Sequence, residues 1–208
     1  MNKKIKHGYH SVEGKMPHST EDYVFAQFKQ IDDNERGLFA VFDGHSGRQV
    51  PDYLLSHLFD NIINELVVAN VGDSRAVLCQ DGVAKQLSVD HKPNKERKVI
   101  EERGGFVTEF AGDCPRVDGC LAMSRAFGDK RLKEHISSEP DVWVGDVDDE
   151  SEFLILASDG IWKVMSNEEA VDCVKGVEDP RAAAKQLIKE ALAKKSRVDI
   201  SCIVVRFQ

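Results

Sequence analysis

Two short strings have the residue types to bring carboxylates to a common point. In Leu38 to Gly47, LFAVFDGHSG, a nearly continuous apolar run ends in Asp43, followed by Gly44, His45 and Gly47. In Glu152 to Trp162, EFLILASDGIW, a second apolar run, Phe153 to Ala157, ends in Asp159-Gly160. Short apolar runs closed by Asp-Gly read as buried strands that stop in a turn. Carboxylates that converge repel one another unless a proton or a cation lies between them. Magnesium and manganese, which favour oxygen ligands, are the simplest resolution. One such string alone equally describes a turn in which Asp43 accepts backbone amides. Two copies make a shared hard-cation site the expectation, and a separation above about 10 Å would exclude it, since direct ligands sit a little over 2 Å from such an ion.

Other acids flank these runs. Glu21 and Asp22 open a strand-like alternation over Tyr23, Val24, Phe25, Ala26 and Phe28, where they either support a metal through water or mark a solvated strand entrance. Asp73 and Arg75 follow the apolar run Leu66 to Val71; they read as a turn cap and a paired or solvated cation, or as outer support of the acidic site. Asp90 either caps the charged helix that begins near Pro93 or adds another outer carboxylate.

The elements that must position these residues are legible in outline. A helix is expected from Gln49 to Asn64, a polar turn over Ile31 to Arg36, and a hairpin at Asp81-Gly82. Val99 and Ile100 give the charged helix a narrow apolar stripe, Gly104-Gly105 ends it, and Phe106 to Phe110 resumes a strand pattern. Ser166 to Glu169 is a capping box, and Asp179-Pro180 a cap with a first-turn proline ahead of Ala184, Leu187, Ile188 and Ala191. Ile200 to Phe207 is a final core strand. This order favours a layered α+β or sandwich architecture over a regular βαβ series.

Composition narrows the function classes. The 208 residues carry a formal charge of -8, which argues against a general nucleic-acid binder despite the basic stretch His91 to Lys98. Five cysteines without a CxxC pair suggest reduced thiols rather than a disulfide framework or a structural zinc site. The basic start MNKKIKHG has no apolar segment after it, and no stretch approaches membrane-spanning length. A monomer in cytoplasm or nucleus, with no membrane and no nucleic-acid partner, is the expectation.

Taken in order, the early TED, FAVFDGHSG, VANVGDSRAVL, DHKP, LAMSRAFGD, FLILASDGIW and DISCIVVRF resemble the plant-type metal-dependent serine/threonine phosphatases of the protein phosphatase 2C family. The resemblance runs from about His7 to Phe207. It implies a single α+β domain over 1–208: a two-sheet antiparallel β-sandwich flanked by helices, holding two Mg2+ or Mn2+ ions that activate water against phosphoserine and phosphothreonine in proteins. By resemblance Asp43 bridges both metals, Gly44 offers its carbonyl, and Asp159 is a second direct ligand. His45 is the general acid for the leaving alkoxide. Glu21 and Asp22 fall at water-mediated positions and Asp90 beside an additional, weaker metal.

Four departures from the family pattern bear on activity. Val198 stands where the resemblance expects a direct aspartate ligand, and Asp199, one residue later, is the weak alternative. Lys163 replaces an acid after Trp162, and Lys15 is the nearest substitute for a phosphate-binding arginine, without its planar two-pronged donor set. The chain is also short by several dozen residues between positions 64 and 66, a deletion after the first helix that leaves the domain incomplete. Two functions fit these residues. One is a protein phosphatase with metal binding weakened by Val198 and activity impaired; the other is a non-catalytic phosphatase-like protein that binds phosphoproteins, or a decayed-gene product.

Overall fold

Near-continuous apolar sequence is required of strands covered on both faces, and two such runs, Ser151–Ala157 and Ile200–Phe207, lie side by side. The computed structural model describes residues 4–15, 20–31, 34–44 and 66–208. Along the chain, β1 (Ile5–Val12) is followed by the paired strands β2 (Tyr23–Ile31) and β3 (Asn34–Phe42), then β4 (Leu66–Asn70), β5 (Arg75–Gln80) and β6 (Val83–Gln86). Next come α1 (Arg97–Glu102), the two-residue strands β7 (Val107–Thr108) and β8 (Arg116–Val117), and β9 (Asp141–Gly145). The last part is β10 (Ser151–Ala157), α2 (Asp159–Trp162), α3 (Asn167–Val174), α4 (Pro180–Ala193) and β11 (Ile200–Phe207).

Five strands form one sheet in the order β1-β11-β10-β5-β6, with every neighbouring pair antiparallel. The central strand β10 alternates between two cores. Phe153, Ile155 and Ala157 pack with Ile161, Val171, Leu187 and Ile188 of the helices. Leu154 points to the other side, where Leu78, Ile203 and Val205 meet Val24, Phe39 and Val41 of β2-β3 and Leu66, Val68 and Trp143 of β4-β9. The result is a sandwich of a five-stranded sheet between a helical layer and a second β-layer. Among the described residues that second layer consists of two separate two-stranded ladders, β2-β3 and β4-β9. A third small core, around Ile100, Val117, Met123 and Leu132, belongs to the region that contains α1, β7 and β8.

Local chemistry accounts for the element ends. Ser166 and Glu169 exchange both bonds of a capping box, and the Asp179 carboxylate accepts from Ala182 N at 2.8 Å ahead of Pro180. Asp81 and Gly82 both take positive φ, 50° and 72°, as a two-residue hairpin with the right twist requires. Three expectations need correction. The polar turn expected over 31–36 is mostly paired strand, because backbone pairing of Lys29 with Arg36 and Gln30 with Glu35 needs no apolar side chain. Phe106 to Phe110 gives only a two-residue strand, with Phe106 and Phe110 exposed. In α1 only Ile100 is buried, and Val99 is exposed, because a helix this short presents one narrow face to its core. The expected helix over 49–64 lies outside the described residues, as does the chain just before position 66 where the deletion between 64 and 66 is expected. No helix among the described residues is long and apolar enough to cross a membrane.

The two leucines of α4 separate burial from helix propensity. Leu187 is fully buried, whereas Leu192 is 42% exposed. Leu187→Ala is expected to cost about 2–5 kcal/mol in chemical denaturation and Leu192→Ala less than about 1 kcal/mol. Equal losses would contradict the placement of the core.

Candidate metal centre

Three strand ends supply the site. Asp43 is the residue after β3, Asp73 lies in the turn between β4 and β5, and Asp159 is the first residue of α2, just past β10. One carboxylate oxygen from each lies within 4.8 Å of the other two, and all three side chains are partly buried. The convergence raises proton affinity: burial, then the charges of Asp159, Asp22 and Asp73, push the Asp43 carboxyl up to about 9 against a smaller opposing pull from Lys163. Asp22 is buried behind the cluster and accepts from Ser158 Oγ at 2.8 Å. Burial lifts its carboxyl to about 6, with Asp199 and Asp159 adding to the rise and the Ser158 and Ser201 bonds opposing it. A set of anionic oxygens at this spacing suits a hard divalent cation, whose ligands sit a little over 2 Å from it, and the residues present therefore fit a metal ion.

Two glycines let the strands come this close. A Cβ on Gly44 would stand 2.4 Å from the Glu21 carbonyl oxygen, and one on Gly160 would stand 2.3 Å from the Asp199 carbonyl oxygen. Any side chain at either position would push Asp43 or Asp159 away from its neighbours. The turn that carries Asp73 is held from outside. The buried His91 accepts the Gly72 amide on Nδ1 at 3.0 Å, which leaves the proton on Nε2 to donate to Asp141 at 3.1 Å. Asn70 Nδ2 bonds to the carbonyls of Gly72 and Val89 at 3.1 and 2.8 Å. Arg75 makes a two-pronged pair with Asp90 at 3.0 and 2.6 Å, donates to Asn167 at 2.6 Å, and stacks over Trp162 of α2 with its guanidinium 5.0 Å from the ring centroid. One guanidinium thereby ties the start of β5 to the short helix that begins with Asp159.

The residues singled out from sequence divide accordingly. Asp43 and Asp159 are brought together, with Gly44 beside them and Asp22 close behind. Glu21 donates its amide to Asp199 Oδ2 at 3.0 Å, and Gly14 donates to Asp199 Oδ1 at 2.6 Å, so both oxygens of Asp199 are engaged by backbone amides. Asp199 is not one of the three clustered acids, and Val198 beside it is partly buried. Asp90 is turned to Arg75 and also lies outside the cluster. Lys15 is exposed, and its amide donates to the Arg197 carbonyl at 2.8 Å. His45 lies outside the described residues. Sequence reasoning gave Asp73 only a capping or outer role, although Val71-Gly72-Asp73 repeats the pattern of an apolar run closed by an acid. Lys163, which replaces an acid after Trp162, pairs directly with Asp159.

Comparison with known proteins gives a consistent answer. The family model described as "Protein phosphatase 2C" matches residues 58–200. "Probable protein phosphatase 2C 39" of Arabidopsis thaliana is 55% identical over 254 residues, covering 100% of this chain and 88% of that protein. "Probable protein phosphatase 2C 62" of Oryza sativa subsp. japonica is 50% identical, covering 99% and 88%. An alignment of 254 residues against a chain of 208 means that the Arabidopsis relative carries a few dozen residues without a counterpart here. Among solved structures, the serine-threonine phosphatase 2C from Toxoplasma gondii superposes with a TM-score of 0.82 at 22% identity, over 98% of this chain and 95% of that one. The catalytic domain of the phosphatase PstP, solved with two manganese ions, gives 0.67 at 20% identity, over 98% of each chain. At these identities the structural likeness establishes the fold.

The acidic cluster sets a pH dependence for the metal-free protein. Folded Asp43 keeps its proton up to about pH 9, whereas an unfolded aspartate releases it near its ordinary value of 3.8. The folded state therefore binds the extra proton between those values, and the stability Asp43 allows at low pH is lost as pH rises through about 9. Asp43→Asn removes this dependence. In EDTA its advantage over the native chain in urea denaturation is expected to be near zero at pH 4 and to grow toward pH 8, exceeding about 1 kcal/mol there. A constant difference across that range would mean that Asp43 is not held protonated.

Proposed function

Because the chain belongs to the protein phosphatase 2C family, we propose that it is a protein serine/threonine phosphatase whose metal pair binds weakly and whose turnover is impaired. The observation that carries this reading is the convergence of Asp43, Asp73 and Asp159 within the reach of one ion. In the proposed site Asp43, the Gly44 carbonyl and Asp159 hold Mg2+ or Mn2+, Asp73 joins them, and Glu21 and Asp22 act through water. Two divalent ions, when bound, supply an acidic water as nucleophile and neutralise phosphate charge. The chain's own residues then have limited tasks. Asp43 must give up its proton, Arg75 and His91 keep the strand ends in place, and His45 protonates the serine or threonine alkoxide as it leaves. Lys15 offers the phosphate a single cationic contact.

Impairment is argued from Val198. Its aliphatic side chain has no oxygen for a cation, and both Asp199 oxygens are already bonded to the amides of Gly14 and Glu21. Freeing Asp199 for a metal would leave two amides without those bonds, at a cost of roughly 1–3 kcal/mol for each one left buried. The substrates of this reading are phosphoserine and phosphothreonine proteins, met in cytoplasm or nucleus by a single, shortened domain.

The test is a manganese titration of native protein and Val198→Asp, following phosphate release from a phosphothreonine peptide. The native chain is expected to turn over slowly and to need millimolar manganese. Val198→Asp is expected to lower that requirement by about tenfold or more, the scale on which ligand and supporting-residue changes act on metal affinity. Fast native turnover at micromolar manganese with no gain in Val198→Asp would overturn the impaired-site reading. Folded proteins that bind no manganese in either form would favour the non-catalytic, phosphoprotein-binding function instead.

A further inference from the structure

The metal reading leaves one cation in the acidic cluster unexplained. Lys163 follows Asp159 by one helical turn, at the C-terminal end of α2, and its Nζ forms an ion pair with Asp159 Oδ2. The side chain is half-exposed, so the ammonium reaches the cluster from the solvent side. Burial by itself would lower the Lys163 pKa, but the charge and hydrogen bond of Asp159, followed by the charges of Asp73 and Asp43, outweigh it and hold the ammonium above its ordinary range. The same Lys163 charge opposes the repulsion felt at Asp43.

We propose that Lys163 is a tethered internal counter-ion of the three-aspartate cluster, which stabilises the metal-free fold and must swing out of the cluster before a divalent cation can bind. This rests on the reading of the cluster as a metal site. An ammonium paired with Asp159 Oδ2 competes for the carboxylate that a metal would use, and a divalent ion bound by the same carboxylate would face a like charge close by. An ammonium has three donors on a flexible stem and no ligand to lose, so its displacement needs only side-chain rotation toward solvent. Metal binding is thereby an exchange of one monovalent, covalently tethered cation for a divalent one. Lys163 and Val198 weaken the site in different ways, the first by competition and the second by a missing ligand.

Lys163→Gln and Lys163→Arg separate charge from packing. Manganese affinity is read from the loss of the free-ion EPR signal, and stability from thermal melting in EDTA. Lys163→Gln is expected to bind manganese about tenfold more tightly than native protein, because a like charge is removed from the partly buried site. Its metal-free form is expected to melt at a lower temperature, and Lys163→Arg is expected to stay near native in both measurements. Unchanged or weaker manganese binding by Lys163→Gln overturns the proposal while leaving the metal site intact. If neither native nor variant binds manganese, the metal reading fails and this proposal with it. Should Lys163→Gln not fold, the native protein still decides. Amine-reactive labelling of Lys163, read by mass spectrometry, is expected to speed up on saturation with magnesium, and an unchanged labelling rate overturns the proposal.

Discussion

Mutual repulsion among Asp43, Asp73 and Asp159 is the constraint that the surrounding structure is built to withstand. Three carboxylates that would separate in solution are held within 4.8 Å by strands belonging to both layers of the sandwich. Such convergence requires compensating charge or protons, and the chain supplies both: Asp43 retains a proton well above the usual carboxylate range, and Lys163 lends its ammonium. The apolar packing on both faces of β10 provides the rigidity that keeps Asp159 from retreating. Function and stability thus oppose each other at this edge of the fold, as is common where a site is assembled ahead of its ligand.

Much of the polar network serves this one edge. The Arg75-Asp90 pair, the Trp162 stack, the His91 bond to Gly72 and the Ser158 bond to Asp22 hold loops or helix starts that carry or back an acid. Asp199 does the same from the far side by binding the amides of Gly14 and Glu21, which brings the entrance of β2 against Gly44. That role differs in kind from metal ligation. A carboxylate that accepts two amides at the start of β11 acts as part of the scaffold.

The family's sequence strings acquire physical meaning in this light. DHKP contributes a partner for Arg75 and a buried imidazole for the Gly72 amide, while in LAMSRAFGD Ser124 and Arg125 bind Glu96. Neither string supplies an acid to the cluster. Among the described residues the second β-layer is divided into β2-β3 and β4-β9, a division that those strings do not reveal.

Sequence by itself determined the elements whose causes are local. Apolar runs specified β10 and β11 because strands covered on both faces tolerate few polar residues, and the Ser166 box and Asp179-Pro180 specified α3 and α4 because caps act within four residues. The repeated apolar-run-then-acid pattern exposed Asp43 and Asp159 as a pair. Tertiary structure alone decided that Asp73 joins them, that Asp90 turns to Arg75, that Asp199 spends its oxygens on backbone amides, and that Lys163 lies in the cluster. The physical reason is common to all four. A charged side chain can satisfy the same requirement with a proton, an amide, a cation or a metal, and which of these it meets depends on strands and helices distant in sequence, whose approach is set by packing rather than by neighbouring residues.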